Sequence, residues 1–150
     1  MEDVSLSNRF APSIAKSTNG GSAIAIRLDT SNVPARRRLA AWQDIVCDVF
    51  VGLDCKSDVA DFRGSVLHSA VGPISYTRVD SGCQRVFRTP SRIARAKEDF
   101  VLFALGTEGS GGVVQDGREA LVRPGEFVYY DTTRPYELRF DADFSQTIFQ

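Results

Sequence analysis

The turns between residues 115 and 140 constrain the fold most tightly. Asp116-Gly117 is a hairpin signal, because glycine accepts the positive φ that a two-residue turn needs. Pro124-Gly125 marks the next turn, and Arg134-Pro135 breaks the chain before a third run. Residues 136–140 then alternate apolar and charged side chains, as in a half-buried strand. The segment therefore predicts three short strands joined by tight turns.

The same pattern continues over most of the chain. Short strand-like runs are separated by Gly, Pro or Ser turns, and many short strands at near-even spacing favour a sandwich or a barrel. The predicted strands cover residues 24–28, 62–71, 74–79, 84–89, 100–105, 113–115, 119–122, 127–130, 136–140 and 144–149. Glycines 109, 111 and 112 predict a flexible loop; they do not form a phosphate-binding loop, because a strand follows them and no Lys-Ser/Thr pair does.

One helix is predicted before the main run of strands, over residues 34–50. Ser31 or Asn32 can cap it, and Pro34 suits its first turn. Apolar residues then recur at helical spacing, and Trp42 is expected to anchor the helix against a sheet.

Composition indicates how many domains the chain has and in which cellular compartment it is expected. Residues 1–22 are rich in Ser, Asn, Thr and Gly and are expected to be flexible, which leaves one domain over residues 23–150. The net charge of −1 and the absence of a basic stripe argue against nucleic-acid binding by this segment, and Arg36-Arg37-Arg38 is read as a solvated helix start. No stretch is apolar enough to predict membrane insertion or a secretory signal. Three cysteines without C-x-x-C spacing favour a reducing cytoplasm.

The sequence gives little support for catalysis or for metal binding. His68 is the single histidine, so a metal site with several imidazoles is not expected, and no nucleophile pattern accompanies it. The acidic pairs at 98–99 and at 141 and 143 flank strand starts, where turns favour Asp, and are interpreted as turn residues. We therefore predict no enzyme, no catalytic residue and no cofactor.

Small-molecule binding fits the pattern better, since a small barrel can hold one ligand. Arg88 lies in an apolar run and either reaches water, pairs with an acid such as Asp131, or binds an anion, for which a carboxylate would be a bidentate partner. The other candidate ligand contacts are residues for which a role in the core or in a strand is the more common alternative: Tyr76, Phe103, Tyr130 and His68.

The stretch "QDGREALVRPGEFVYYDTTRPYELRF" resembles the end of the ligand-sensing domain of AraC/XylS-type transcription regulators. Further matching segments occur in the same order as in the family, at residues 61–64, 72–75, 87–89 and 100–102. The resemblance covers roughly residues 27 to 149. It implies a mainly-β, cupin-like double-stranded β-helix, or jelly-roll barrel, with one N-terminal helix packed outside. It also implies a bacterial sensor that binds a small organic effector, aromatic or carboxylated, and forms a homodimer.

In that family a separate C-terminal domain with two helix-turn-helix motifs contacts DNA and RNA polymerase, and no such pattern is present here. The sequence ends within a strand pattern, which predicts that it is a piece of a longer protein. Two alternatives remain open. One is a metal-independent cupin enzyme acting on a small sugar or acid; the other is a ligand-free dimerisation module whose barrel is filled by its own side chains.

Overall fold

Strands in two facing antiparallel sheets make up most of the chain. The computed structural model describes residues 13–16 and 24–150. In order, its elements are β1 (Ser13–Lys16), β2 (Ile24–Asp29), α1 (Arg38–Val49), β3 (Asp54–Lys56), β4 (Gly64–Val71), β5 (Ile74–Ser81), β6 (Gln84–Arg88), α2 (Pro90–Ala94), β7 (Val101–Glu108), β8 (Gly111–Gln115), β9 (Arg118–Val122), β10 (Phe127–Asp131), β11 (Tyr136–Phe140) and β12 (Phe144–Phe149).

The order of the strands is that of a jelly roll. One sheet has seven strands in the order β1-β2-β4-β5-β12-β7-β10, and the other has five in the order β3-β6-β11-β8-β9. Strands that are distant in sequence lie side by side, such as β5 with β12 and β6 with β11. The mainly-β, cupin-like fold predicted from the sequence is confirmed.

The core lies between the two sheets, because alternate residues of each strand point inward. The seven-stranded sheet contributes Val66, Val79, Leu102 and Ile148, and the five-stranded sheet contributes Val86, Val113, Leu138 and Phe140. Burying each of these side chains contributes about 1.5–3 kcal/mol, so the interior holds the two sheets together.

Helix α1 packs against the barrel through Trp42, as predicted. The Trp42 side chain is fully buried, and its Nε1 donates a hydrogen bond to Oε1 of Gln84 at 3.0 Å. The helix is shorter than the predicted 34–50, because a 3-10 turn at Ala35–Arg37 precedes it. Neither Ser31 nor Asn32 caps it; the Ser31 backbone N–H donates instead to Asp29, at 2.9 Å from its Oδ1.

Three local features differ from the sequence expectations. The predicted glycine-rich loop is reduced to a two-residue connection at 109–110 that leads from β7 in one sheet to β8 in the other, and Gly111 and Gly112 belong to β8, where they pair with β9. Strand β3 and helix α2 were not predicted, since β3 has only three residues and α2 only five. Strand β1 falls within the segment expected to be flexible; the rest of that expectation concerns residues outside those the structure describes.

Candidate functional site

Arg88 is a charged residue in the interior of the barrel. It is the last residue of β6, on the same inward face as Val86, and only 1% of its surface is exposed. Its Nε donates to the carbonyl oxygen of Thr132 at 3.1 Å, and its Nη1 donates to that of Gly52 at 2.8 Å. Its Nη2 is buried and has no hydrogen-bond partner among the described residues. A guanidinium held by two carbonyls retains free N–H donors for an anion.

The alternative in which Arg88 pairs with Asp131 is wrong. The Asp131 carboxylate accepts hydrogen bonds from the backbone N–H and hydroxyl of Thr133 at 2.8 and 2.6 Å, and Nη2 of Arg134 lies 3.7 Å from it. These contacts hold the pKa of Asp131 below its usual range, the Thr133 hydroxyl contributing most. Asp131 is therefore engaged at the surface turn and does not neutralise Arg88.

Two tyrosines lie beside Arg88. Tyr136 is its cross-strand neighbour on β11, and the rings of Tyr136 and Tyr130 meet edge to face with centroids 4.7 Å apart. The Tyr136 hydroxyl is buried and, within the described chain, has no hydrogen-bond partner. Burial raises the pKa of both phenols, and for Tyr136 the neighbouring Tyr130 adds to the rise while Arg88 opposes it. Both phenols are thus neutral at physiological pH and supply no counter-charge to Arg88.

A cavity of about 40 Å³ lies in the barrel interior and is lined in part by Tyr130 and Tyr136, whereas Arg88 does not line it. Its wall is mostly apolar, with polar groups from Tyr130, Tyr136, Gln84 and Gln146. An apolar cavity that holds benzene has about 150 Å³, and one water takes about 30 Å³ in the liquid, so this space is large enough for a small polar group but far too small for a ring. The barrel is neither completely filled nor open enough for an aromatic ring in this conformation.

Tyr130 also lines a second space. A surface groove of about 580 Å³ runs along strands β8, β9 and β10, bordered by Val113, Ala120, Val128 and Tyr130. Tyr130 therefore lines both the interior cavity and the groove.

The remaining predicted contacts do not join Arg88. Tyr76 on β5 and Phe103 on β7 are on the outer face of the seven-stranded sheet and are 37% exposed, so they lie outside the barrel pocket to which the sequence assigned them. Alternation predicts which residues share a face, but it does not say which face is inward. His68 on β4 is half-buried, and its Nδ1 lies 2.7 Å from Oγ1 of Thr77, while burial lowers its pKa.

An acidic groove lies near the start of β6, at the turn that joins β5 to β6. Its volume is about 460 Å³, and its carboxylates come from Asp29, Asp61, Asp80, Glu108 and Asp143. Over residues 13–16 and 24–150, no group of three or more His, Cys, Asp or Glu side chains is placed to hold a metal ion.

The sequence interpretation missed Tyr136 as a partner of Arg88. Arg88 shares the inward face of β6 with Val86, and Tyr136 shares the inward face of β11 with Leu138. Their pairing joins residues 48 positions apart in the sequence, and nothing local encodes that register. Gln84 and Gln146 were missed for the same reason, since each appears as one polar residue in a strand pattern.

Comparison with known proteins places this arrangement in a family. Residues 42–150 match the AraC-binding-like domain. An uncharacterised protein in the nit 5′ region of Bacillus sp. (strain OxB-1) is 39% identical over 124 residues, covering 82% of this chain and 48% of that protein. The transcriptional activator NphR of Rhodococcus sp. is 30% identical over 102 residues, covering 64% of this chain and 30% of the activator.

The fold is shared with a solved structure. The AraC-like transcriptional activator CuxR superposes with a TM-score of 0.69 and 18% sequence identity, over 83% of this chain and 46% of CuxR. Together, the barrel and these matches define the regulatory-domain class found in AraC-like transcription regulators. The chain belongs to the AraC-binding-like domain family, and it spans about half or less of the length of these relatives. Neither α1 nor α2, the α-helices of the described chain, has the length and apolar character to cross a membrane.

Proposed function

We propose that this chain is the effector-binding domain of an AraC-type transcription regulator and that its effector is a small carboxylate anchored at Arg88. The domain senses and does not catalyse. It acts in the bacterial cytoplasm, and DNA and RNA polymerase are contacted by a separate domain of the regulator.

The observation that supports an anionic effector is that the buried Nη2 of Arg88 has no hydrogen-bond partner among the described residues. A buried charge without an opposite charge nearby is destabilising, and proteins normally pair it or leave it accessible to water. Arg88 is 1% exposed and its two hydrogen bonds go to backbone carbonyls. A carboxylate would supply both the missing charge and the missing acceptor.

Tyr136 supports the same ligand class. Its unpartnered hydroxyl is a hydrogen-bond donor on the strand beside Arg88, and a neutral phenol can donate to a carboxylate oxygen. Two donors with no acceptor between them suit an anion better than a sugar, whose hydroxyls need acceptors as well.

The size of the cavity limits the rest of the effector. About 40 Å³ accommodates a carboxylate group but not a ring. A larger effector therefore requires the Tyr130 wall to move, which would join the cavity to the groove along β8, β9 and β10.

Thermal unfolding with charged and neutral probe pairs tests the proposal. Acetate and benzoate should raise the melting temperature, whereas acetamide and benzamide, of matching shape, should not. At a hundredfold excess over Kd, binding stabilises by about 2.7 kcal/mol, which corresponds to a rise of about 5–10 °C for a chain of this size. The buffer should contain neither carboxylate nor phosphate.

Two variants separate binding from folding. Tyr136→Phe removes one donor and should weaken the response to carboxylates without unfolding the chain. Arg88→Lys keeps the charge but loses the planar pair of donors, so a folded variant should bind less tightly. If the amides shift the melting temperature as much as the acids do, or if no probe shifts it, the proposal fails.

A further inference from the structure

Four polar side chains form a continuous row across the inner face of the five-stranded sheet. Arg88 on β6 pairs in register with Tyr136 on β11, and Tyr136 pairs with Gln115 on β8. Gln115 in turn pairs with Arg118 on β9. Adjacent strands lie about 4.8 Å apart, so these four residues, which we call the polar row, cross about 14 Å of the sheet. Directly paired residues share one face of a sheet, and the burial of Arg88 and Tyr136 identifies that face as the inner one.

The polar row runs from the barrel interior to a surface groove. Tyr136 lines the interior cavity, whereas Gln115 and Arg118 line the groove along β8, β9 and β10. The groove has a volume of about 580 Å³, which is within the usual range for ligand pockets, about 300–1,000 Å³. The row therefore connects the proposed anion site at Arg88 with a space large enough for the rest of a small molecule.

Arg118 is a cation without a partner at the open end of the row. The two carboxylates nearest to it in sequence are engaged by other arginines. Asp116 forms an ion pair with Arg134. Oε1 of Glu119 lies 3.5 Å from Nη1 of Arg139. Over the part of the chain that the structure describes, the Arg118 guanidinium has no ion pair and no hydrogen bond, so its N–H donors are available to a ligand in the groove.

The two residues between the arginines supply no negative charge. Gln115 uses its amide on the turn between β10 and β11, where its Nε2 donates to the carbonyl oxygens of Asp131 at 2.8 Å and of Arg134 at 3.2 Å. Its Oε1 accepts a hydrogen bond from the Asp131 backbone N–H at 3.1 Å. Tyr136 is neutral at physiological pH, because burial raises its pKa. The polar row thus has a positive charge at each end and no counter-charge between them.

We propose that the effector is a dicarboxylate, with one carboxylate held by Arg88 and the other by Arg118. This inference rests on the proposed anion site at Arg88 and adds a second anchor to it. A diacid offers an anion to each guanidinium, and its carbon chain can lie along the wall formed by Ala120, Val128 and Tyr130. Because both carboxylates belong to one molecule, the second contact needs no separate association event.

The two anchors differ in their exposure, and this difference predicts how each responds to salt. Arg88 is buried, whereas Arg118 is exposed on β9. Dissolved ions screen exposed charges much more than buried ones. The affinity gained from the second carboxylate should therefore shrink as salt is added, while the affinity due to the first carboxylate should change less.

Calorimetric titration with matched pairs of acids tests the second anchor. Succinate, adipate and suberate differ in the distance between their carboxylates, and their monomethyl esters keep the shape but lose one charge. The diacid whose length fits the polar row should bind about 10-fold more tightly than its own monoester at low salt, and this ratio should fall towards unity in about 1 M sodium chloride. The other diacids should show smaller ratios, because linked contacts help most when the linker matches their separation.

An Arg118→Gln variant separates this inference from the proposed function. It should bind the best diacid and its monoester about equally. Arg123→Gln is the matched control, since it removes the same charge from the turn after β9, outside the groove lining, and should keep the wild-type preference for the diacid.

Three outcomes would contradict the second anchor. A wild-type chain that binds the monoesters but prefers no diacid would overturn it and leave the Arg88 site in place. An Arg118→Gln chain that keeps the full preference for the diacid would do the same. Binding of neither the diacids nor the monoesters would overturn both this inference and the proposed function.

Discussion

At position 88, a guanidinium occupies a place where the neighbouring inward residues of β6 and β11 are apolar. Its charge is not offset by a carboxylate among its hydrogen-bond partners, which are the carbonyls of Gly52 and Thr132. The cross-strand Tyr136 hydroxyl is likewise unpartnered. In a protein interior, such unsatisfied groups cost free energy, and they persist mostly where function needs them.

Tyr136→Phe tests this at the residue scale. Removing a buried hydroxyl that lacks a partner should keep or raise the free energy of unfolding, by up to about 1–2 kcal/mol, since the unmade hydrogen bond costs that much. Urea unfolding without ligand measures it. Tyr129→Phe is the control, because its exposed side chain should change stability by less than about 0.5 kcal/mol. A loss of more than 1 kcal/mol in Tyr136→Phe would mean that the hydroxyl has a stabilising partner.

The sequence was enough to single out Arg88, but not to predict that Tyr76 and Phe103 lie on the outer face of the sheet. Arg88 stood out because a charge in an apolar run needs a reason, whichever face it occupies. An aromatic residue on a strand suits the core, the pocket and an exposed face equally well, and only the packing of the two sheets decides among them. The structure leaves Tyr76 and Phe103 on the outer face of the seven-stranded sheet.

At the scale of elements, α1 and β4 fit together through one glycine. A Cβ at Gly64 would lie 2.4 Å from Cε3 of Trp42, a distance that no packing allows. The strand can thus approach the indole ring only because residue 64 has no side chain. The hydrogen bond from Trp42 to Gln84 also helps to hold the indole ring in this position.

Gly64→Ala should therefore destabilise the chain by about 1–3 kcal/mol or more, because the new methyl group forces Trp42 or β4 to move. The free energy of urea unfolding and the fluorescence of Trp42, the single tryptophan, report both effects. Gly112→Ala on β8 is the matched control, since its Cβ would have no neighbour closer than 3.8 Å. Equal stability of the two variants would contradict this account of how α1 packs.

Strand alternation and turn residues were sufficient to predict the bounds of β11 and β12 and to bring most others within a few residues. They were not sufficient for β3, whose three residues are too few to show a period. Alternation and turn residues also could not predict that Gly111 and Gly112 belong to a strand. At position 111 the Phe140 ring occupies the space that a side chain would take, so the strand needs a glycine there.

At the scale of the whole molecule, His68 is expected to make stability depend on pH just below neutrality. It is the single histidine, and burial lowers its pKa below the usual 6.5. The unfolded chain therefore takes up a proton first as the pH falls below about 6.5, and the free energy of unfolding decreases until the folded-state pKa is reached. The carboxylates with lowered pKa values, Asp29, Asp131 and Glu137, add their own loss only at more acidic pH.

His68→Gln should remove most of the decrease between about pH 8 and 5.5, a range in which few other side chains titrate. Urea unfolding at several pH values compares the slopes for the variant and the wild type. The wild type is expected to be more stable at the upper end of the range. A wild-type stability that rises as the pH falls would show that protonated His68 gains a partner in the fold.

The most direct test of the account is to follow the Arg88 side chain itself by NMR while acetate is added. Its buried guanidinium should exchange its N–H protons slowly, and an Arg88→Lys spectrum assigns its signals. We predict that the Arg88 Nε and Nη signals shift and saturate with acetate and stay fixed with acetamide. Arg88 signals that do not move while acetate raises the melting temperature, or that respond equally to acetamide, would contradict an anion site at Arg88.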